Sequence, residues 1–333
     1  MVSIPELFRA WSEFKRRKRK SKDLQSFERH LEDHLFSLHE SLLEGTYQHG
    51  SYQRFTVFEP KKRAISKARV RDRLVHHLLY TYLVSLFDPL FIDHSFACRI
   101  GKGTHQGVFL LERLLRQKTL NGRRPIYLLK ADIFRFFDHI NHSLLKTLIQ
   151  RKVRDERTLK LIFDIIDSFW HHTQGGEKFG IPLGNVTSQL FANLYLHELD
   201  FFVIHQLKMP YIRFCDDFLL LSHERKSLEK AKNSIEGFLK LGLLLTLHPQ
   251  KIFFRKDFQG IDFLGYVTFV THRLLRTKTK RRLKNRLSQG YGAFLKGNLA
   301  EKAFNQKLQS YLGLLSHTDE KMLAASLKNA YAI

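Results

Sequence analysis

The sequence predicts an α+β fold that combines helices with strands ending in acidic residues. Two apolar runs, 211–215 and 218–221, flank Asp216 and Asp217, a pattern typical of a β-hairpin with both carboxylates at its tip. A further apolar run, 126–131, predicts a strand that leads into Asp132. Elsewhere, apolar residues at helical spacing predict helices.

The first predicted element is a basic helical extension. Residues 15–20 are an unbroken run of six Lys and Arg residues. After this run, one helix that stops at Gly45 is predicted by the spacing of Leu24, Phe27, Leu31, Leu35, Leu38 and Leu42. A solvated helix start would explain the run, but on a strongly basic chain we favour a phosphate contact.

A strand and a turn that present two basic side chains follow. Residues 55–58 alternate like a strand and lead to Lys61 and Arg63, before a helical stripe that begins at Leu74. Arg offers planar, bidentate donors to phosphate oxygens and Lys a compact charge, so the pair suits a nucleoside triphosphate. Surface solubility is the alternative explanation.

A glycine-flanked lysine marks the next loop, Gly101-Lys102-Gly103-Thr104. The threonine can cap the helix that begins there, and the lysine can contact a template or primer backbone. We leave these two explanations equally open. The loop lacks the Gly-x-x-x-x-Gly-Lys-Ser/Thr spacing, so a nucleotide-hydrolysing P-loop is not expected.

Carboxylates at strand ends suggest a metal site. The adjacent charges of Asp216 and Asp217 repel each other, and a divalent cation would relieve that repulsion. Aspartate is also common in ordinary hairpin turns. Asp132 at a second strand end favours function, since active sites gather at such positions. We therefore predict a two-metal site formed by the three aspartates.

A loop that starts at Gly180 enters an apolar helix. Asn185, Thr187 and Ser188 offer hydrogen bonds near the positive end of this helix, and small residues such as Gly184 let a substrate approach. The loop is a suitable place for a nucleotide and for the template backbone. A capped core helix is the alternative.

Composition indicates a polyanionic partner. The chain has 56 Lys and Arg against 32 Asp and Glu, a net charge of +24, which favours nucleic acid. No stretch approaches ~18 uninterrupted apolar residues and no signal peptide is evident, so we expect a cytoplasmic protein.

Cysteine and histidine predict neither a disulfide framework nor a zinc site. The two cysteines, Cys98 and Cys215, have apolar or aromatic neighbours and are expected to be core thiols. The 18 histidines include His76-His77 and His171-His172, but no pair has a metal-binding spacing. We interpret them as scattered surface residues.

Taken in order, the motifs resemble those of reverse transcriptases. They are Pro60-Lys61-x-Arg63, Asp132 with Phe137 five residues later, the loop from Gly180, and Phe214-Cys215-Asp216-Asp217. Residues 183–189, residues 95–105 and the Phe214 motif look most like diversity-generating retroelement enzymes. The resemblance implies a right-hand polymerase with fingers, a palm containing an antiparallel sheet, and a helical thumb.

The resemblance also implies roles for matching residues. Two Mg²⁺ ions would be bound by Asp132, Asp216 and Asp217, with the Ile133 backbone as a further ligand. Residues that would bind the deoxynucleotide are Lys61, Arg63, Phe137, Leu183 and Gly184, with Phe137 blocking a ribose 2′-hydroxyl. Residues that would contact template or primer are Lys102, Asn185, Ser188, Gln189, Phe263, Leu264 and Gly265, the last three as a primer grip or an ordinary glycine bend. Lys251 matches a lysine proposed as general acid.

One departure concerns the nucleotide contact. Many reverse transcriptases carry Gln where this chain has Leu183, and an apolar side chain cannot hydrogen-bond the nucleotide. In the diversity-generating family an apolar residue is expected here and is linked to error-prone copying of template adenines. We therefore predict mutagenic cDNA synthesis.

The resemblance divides the chain into four regions and implies its partners. The regions are a basic helical extension at 1–50, fingers at 51–125 with part of 145–180, a palm at 126–268 and a helical thumb at 269–333. Residues 273–286 contain eight Lys or Arg and fit a thumb that grips an RNA–DNA duplex. Expected partners are template RNA, the primer–cDNA duplex and a small basic accessory protein that forms a helical barrel.

Other functions stay open. A retron, group II intron-like or phage-defence reverse transcriptase would share the aspartates, and a nearby template repeat and variable repeat in the genome would mark the diversity-generating type. A basic RNA-binding protein would explain the charge but not the three aspartates. A metal-dependent nuclease would cleave a labelled template instead of extending a primer on it.

Overall fold

Helices and antiparallel strand pairs alternate along the chain, which confirms the predicted α+β class. The computed structural model describes residues 3–58 and 61–331, so Pro60 of the Pro60-Lys61-x-Arg63 motif and both ends of the chain lie outside the described residues. Within the described ranges, no helix is long and apolar enough to cross a membrane. The chain divides into two compact units, each built from several segments.

The first unit comprises the described part of residues 1–93 with 132–208 and 233–250. In chain-order numbering its helices are α1 (Ile4–Phe14), α2 (Lys22–Glu28), α3 (Leu31–Leu43), α4 (Val70–Phe87), α6 (His142–Gln150), α7 (Glu156–Asp167) and α8 (Val186–Phe201). Its antiparallel hairpins are β1 (Gln53–Val57) with β2 (Arg63–Lys67), and β4 (His172–Gln174) with β5 (Glu177–Phe179). The central helix α8 is apolar on nearly all sides, because it packs against both α4 and α6.

The second unit comprises residues 94–131 and 209–232 with the described part of 251–333. Its helices are α5 (Thr104–Lys118), α10 (Thr277–Leu295), α11 (Glu301–Leu315) and α12 (Lys321–Ala330), while α9 (Arg225–Gly242) has residues in both units. One sheet has the order β6 (Tyr211–Phe214), β7 (Asp217–Ser222), β3 (Tyr127–Asp132), β8 (Phe253–Lys256). The other has the order β11 (Arg273–Leu275), β10 (Tyr266–Thr268), β9 (Ile261–Phe263).

Strand β7 is buried along residues 218–221, because these four residues are all apolar. The four residues 218–221 are at most 1% exposed. Leu219 and Leu221 pack in one cluster with Leu111 and Leu115 of α5. A continuous apolar run is what a strand covered on both faces requires. This packing holds the strand that begins at Asp217.

The single N-terminal helix that the apolar spacing predicted is two helices. α2 ends at Glu28 and α3 begins at Leu31, and His30 between them has φ −127° and ψ 44°, which is not helical. Apolar spacing continues across this break, so spacing could not reveal it. Gly45, with φ +69°, follows the end of α3 as predicted. The basic residues 15–20 lie in the turns between α1 and α2.

Asp23 connects α2 to β2 and α4. Its carboxylate accepts hydrogen bonds from Lys67 Nζ at 2.7 Å, from Arg73 Nη2 at 2.5 Å and from Ser21 Oγ. Burial raises the pKa of the Asp23 carboxyl, but these donors and the charges of Lys67 and Arg73 outweigh burial, so the net pKa is well below its usual value. Folding therefore favours the ionised form.

The Asp23→Asn substitution should remove a pH-dependent part of the stability. A carboxyl with a lowered folded pKa stabilises the chain above its unfolded pKa of about 3.9, and this contribution is lost as the pH falls below that value. Asp23 is 34% exposed, so we expect no more than about 1 kcal/mol at neutral pH, shrinking in acid. Urea unfolding at several pH values measures this difference. Asp33→Asn, at a side chain that is 86% exposed, is the control, and the same pH dependence in both variants would contradict the prediction.

Three local expectations are wrong. The residue before α5 that acts as its N-cap is Gly103, with φ +122°, and Thr104 is the first helical residue, because only glycine adopts that φ readily. Cys98 is exposed and not a core thiol, since it lies in a turn with φ +56°, whereas Cys215 is half-buried. His76 is 1% exposed and not at the surface, because α4 packs against α8 along this side.

Candidate active site

Strands β6 and β7 form the acidic hairpin, with Phe214 paired to Asp217. The two turn residues are Cys215 and Asp216, so the turn lies one residue earlier than predicted and Asp217 begins β7. Cys215 has φ +58°, the left-handed geometry that the first residue of such a tight turn adopts. Asp216 and Asp217 are both half-buried.

A buried arginine supports this turn. Arg213 is 0% exposed, and its Nη1 donates to the carbonyl oxygen of Cys215 at 3.1 Å. Its backbone accepts from Phe96 N at 3.0 Å and donates to His94 O at 2.9 Å. A positive charge beside the turn makes it easier to hold two carboxylates there. Burial, with a further contribution from Asp216, raises the pKa of the Cys215 thiol, which therefore stays protonated.

Lys130 of β3 forms an ion pair with Asp217. Its Nζ lies 3.3 Å from Asp217 Oδ2 and also donates to the carbonyl oxygen of Asp262 at 2.8 Å. Both side chains of the pair are about three-quarters buried, at 21% and 25% exposure, so solvent screens the interaction only in part. β3 is the sheet neighbour of β7, and its last residue is Asp132.

Carboxylate oxygens are the ligands that Mg²⁺ prefers. In the part of the chain that the structure describes, no group of three or more His, Cys, Asp or Glu side chains is arranged to hold a metal ion. Mg²⁺ at phosphate-transfer sites commonly uses one or two protein carboxylates, with substrate phosphates and water as its other ligands. The carboxylates of Asp132, Asp216 and Asp217 have the chemistry that this mode requires, and Asp217 also forms an ion pair with Lys130. Joint ligation by the three aspartates stays a prediction.

In the first unit, the loop before α8 is bonded to β2. Ser66 N donates to Leu183 O at 2.8 Å, and Asn185 Nδ2 donates to Ser66 O at 3.1 Å. Asn185 Oδ1 also accepts from Ala68 N at 3.4 Å. The Asn185 amide, which was predicted to contact the template, thus links the loop before α8 to the end of β2. Leu183 is held beside the strand whose first residue is Arg63.

Gly184 allows this close approach. It has φ +120°, and a Cβ atom there would lie 2.8 Å from Ile65 Cγ2 of β2. Residues with side chains rarely adopt that φ, so both the backbone and the contact require glycine. Phe137 is linked to the same loop, because Ile181 N donates to Phe137 O at 2.9 Å. The structure therefore brings together the loop, β2 and Phe137, which were predicted as parts of one nucleotide site.

In the second unit, a cavity of about 660 Å³ joins two segments predicted to contact template or primer. Its lining includes Lys102, Arg282 of α10, and Leu264 and Gly265 in the turn between β9 and β10. Leu264 and Gly265 have φ +53° and +93°, as in a tight hairpin turn, and a primer contact by this turn stays a prediction. Phe263 is fully buried.

The other predicted residues differ in accessibility. Lys61 and Gln189 are exposed, and Lys251 is half-buried just before β8. Ser188 is 2% exposed, and Ile133 is buried with its backbone bridged to Leu247. Their contacts stay predictions, and Ile133 and Ser188 are the least accessible of these residues.

Three supporting residues escaped the sequence prediction. Lys130 and Arg213 are single basic residues within apolar strands, and this was a usable signal, because a charge in a buried strand needs a partner. His76 gave no local signal, since the residue it contacts, Thr187, is 111 positions away.

Residues 58–268 match the family model described as reverse transcriptase (RNA-dependent DNA polymerase). The group II intron-encoded protein LtrA of Lactococcus lactis subsp. cremoris is 29% identical over 230 residues, which cover 66% of this chain and 37% of LtrA. Protein YkfC of Escherichia coli strain K12 is 23% identical over 284 residues, which cover 73% of this chain and 71% of YkfC. The chain thus spans little more than a third of the length of LtrA.

Among solved structures, apo telomerase from Candida tropicalis, truncated from its C-terminal domain, is similar with a TM-score of 0.45. It is 15% identical in sequence, and the alignment covers 69% of this chain and 54% of the telomerase chain.

Proposed function

We propose that this chain, which belongs to the reverse transcriptase (RNA-dependent DNA polymerase) family, copies an RNA template into DNA from deoxynucleoside triphosphates. The observation that carries the proposal is the family match over residues 58–268, which contains the three aspartates and the loop before α8. The net charge of +24 supports a nucleic acid partner. Because the chain covers only part of LtrA, its activity, substrates and partners are all part of the proposal.

In this proposal, Asp132 and Asp216, with Asp217 and the Ile133 backbone in supporting roles, hold Mg²⁺. When bound, Mg²⁺ would activate the primer 3′-hydroxyl and stabilise the departing pyrophosphate. Lys61 and Arg63 bind the triphosphate, and Phe137 selects deoxyribose beside Leu183 and Gly184. Hydrogen bonds between β2 and the loop before α8 support a shared role for Leu183 and Gly184 in nucleotide binding. Lys251 is the proposed general acid.

The cavity beside Lys102 and Gly265 is the proposed site for the template or primer backbone. Its basic residues Lys102 and Arg282 would neutralise phosphates. The exposed Gln189 is proposed as a separate template contact, and the thumb helices would grip the duplex. A small basic accessory protein and a cytoplasmic location belong to the same proposal.

Primer extension tests the proposed activity. The purified chain, with Mg²⁺, a labelled DNA primer on a defined RNA and all four deoxynucleoside triphosphates, should yield extended products. Ribonucleoside triphosphates should be poor substrates if Phe137 excludes the 2′-hydroxyl. Shortened RNA without extension would instead identify a nuclease, and binding without either product would identify an RNA-binding protein.

We propose further that synthesis is error-prone opposite template adenines, as in diversity-generating retroelements. An apolar Leu183 supports this, because its backbone is held by Ser66 while its half-buried side chain offers the nucleotide no hydrogen bond. Similarity to LtrA favours a group II intron-like enzyme as the second candidate. The error spectrum distinguishes the two, since accurate copying of adenine would favour the second.

Leu183→Gln should lower misincorporation opposite template adenine by about fivefold, the effect of one added hydrogen bond. The Gln amide would contact the nucleotide from a backbone position that does not change. Sequencing of cDNA made on an adenine-containing RNA measures the error rate. Leu183→Met keeps an apolar side chain and is the matched control. Equal error rates in the two variants would remove Leu183 as the cause.

A further inference from the structure

A chain of hydrogen bonds runs from the start of α8 into α4 and the segment before β1. Thr187 Oγ1 lies 2.6 Å from His76 Nδ1, and His76 Nε2 lies 3.0 Å from His49 Nε2. His49 Nδ1 lies 2.6 Å from the carbonyl oxygen of Gly50. His76 and Thr187 are each 1% exposed, so water cannot replace these bonds. All four residues belong to the first unit.

The positions of the protons follow from the partners. A carbonyl oxygen only accepts, so His49 Nδ1 must carry hydrogen and donate to Gly50 O. Two N–H groups cannot face each other at 3.0 Å, so only one of the Nε2 atoms of His49 and His76 carries a hydrogen, which it donates to the other. Burial first, and then the neighbouring His49, lowers the pKa of His76 to about 3, and burial lowers the pKa of His49 as well. Both rings are therefore neutral near pH 7.

Neutrality leaves one arrangement. His49, protonated at Nδ1, accepts at Nε2, so His76 must donate from Nε2. His76 then has a lone pair at Nδ1 and accepts from the Thr187 hydroxyl. The bonds thus point in one direction, from Thr187 through His76 and His49 to Gly50.

The series of hydrogen bonds ends at Gly50, which is anchored by a buried carboxylate. Asp72 is 2% exposed and accepts from Tyr47 Oη at 2.8 Å and from Gly50 N at 3.2 Å. The Tyr52 ring stacks on His49, with centroids 4.7 Å apart. Gly50 and His49 are therefore held independently of α8, and they give the histidine pair a rigid support.

The near end leads to the proposed nucleotide loop. Thr187 lies in the first turn of α8, two residues after Asn185, which bonds to β2 through Ser66 and Ala68. Leu183 is bonded to Ser66 as well. A shift at Thr187 would therefore move the loop relative to β2, the strand that begins at Arg63.

We propose that His76 is a positioning residue for deoxynucleotide binding. It accepts a hydrogen bond from Thr187 and donates one to His49, and in this way it holds Thr187 and the loop of Leu183 and Gly184 in place. This role rests on the proposed polymerase function. It assigns to His49, His76 and Thr187 a part in substrate binding without any contact with the substrate. Thr187, whose hydroxyl the sequence offered to a substrate, instead uses it inside the protein.

Matched substitutions at Thr187 test the positioning role. Thr187→Val keeps the shape and removes the donor, whereas Thr187→Ser keeps the donor. In primer extension, Thr187→Val should raise the KM for deoxynucleotides by about five- to tenfold and change kcat less than about twofold, and Thr187→Ser should stay near wild type. An unchanged KM in Thr187→Val, or an equal defect in Thr187→Ser, would overturn the role.

A second measurement needs no activity and so separates this inference from the proposed function. In ¹⁵N-histidine spectra of the whole chain near pH 7, we expect His49 as the Nδ1–H tautomer and His76 as the Nε2–H tautomer, assigned with His49→Gln and His76→Gln variants. Thr187→Val should shift the His76 Nδ1 resonance and leave its tautomer unchanged. A charged imidazolium at either position, or His49 protonated at Nε2, would refute the hydrogen-bond chain even if the protein proves to be a polymerase.

Discussion

Replacing Asp216 by Asn should lower the rate of primer extension by on the order of a thousandfold while the fold stays intact. Asn keeps the size of the turn residue but loses the charge that would bind Mg²⁺. The turn itself should persist, because its backbone is held by Arg213 and by the pairing of Phe214 with Asp217. Asp132→Asn should have an effect of the same order.

Asp217→Asn should be milder, with a loss of about tenfold, since this carboxylate is paired with Lys130. Single-turnover extension on a defined RNA measures all three variants, and thermal unfolding checks the fold. Asp155→Asn is a matched control, because Asp155 caps α7 at the surface and Asn caps equally well. Activity that survives in Asp216→Asn would exclude this aspartate from catalysis. A similar loss in Asp155→Asn would show that the loss is not specific to Asp216.

Gly184→Ala should lower kcat/KM for deoxynucleotides by about 10- to 100-fold and destabilise the chain by about 1–3 kcal/mol. The new Cβ would stand 2.8 Å from Ile65 Cγ2 at a backbone angle that alanine avoids, so the loop must move away from β2. That movement would break the bond between Ser66 and Leu183.

Gly297→Ala separates the effect of backbone strain at a positive φ from the effect of the clash with Ile65. Gly297 also has a positive φ, +72°, but a Cβ atom there would meet nothing within 4 Å. We expect it to lose about 1 kcal/mol of stability from backbone strain and to keep full activity. Urea unfolding and steady-state kinetics measure both variants. Wild-type kinetics in Gly184→Ala would show that the loop position does not matter.

Sequence reasoning found the elements whose signal is local. Three elements were recognisable: the strand before Asp132, the acidic hairpin and the helix after the Gly180 loop. Each contains apolar residues in consecutive positions or at helical spacing, and such patterns predict buried strands and helices. The turn of the hairpin was misplaced by one residue. Apolar flanks are compatible with either turn position, and only the pairing of Phe214 with Asp217 decides between them.

Features that depend on distant residues were missed. The break at His30 occurs where apolar spacing continues, so no local pattern marks it. The Ser66 bonds to Leu183 and Asn185 join segments more than a hundred residues apart. His76 was assigned to the surface for the same reason, because its burial depends on the packing of α4 against α8. The four predicted regions stay a prediction, while each compact unit combines several separate segments.

The Lys130 partner of Asp217 has a consequence for assembly of the enzyme. Repulsion between neighbouring aspartates is partly relieved by a side chain that folds with the sheet, so the hairpin does not need a divalent ion in order to form. If the proposed mechanism holds, chelators should therefore stop primer extension without unfolding the protein, and the metal would bind to the folded chain once substrate phosphates complete the coordination.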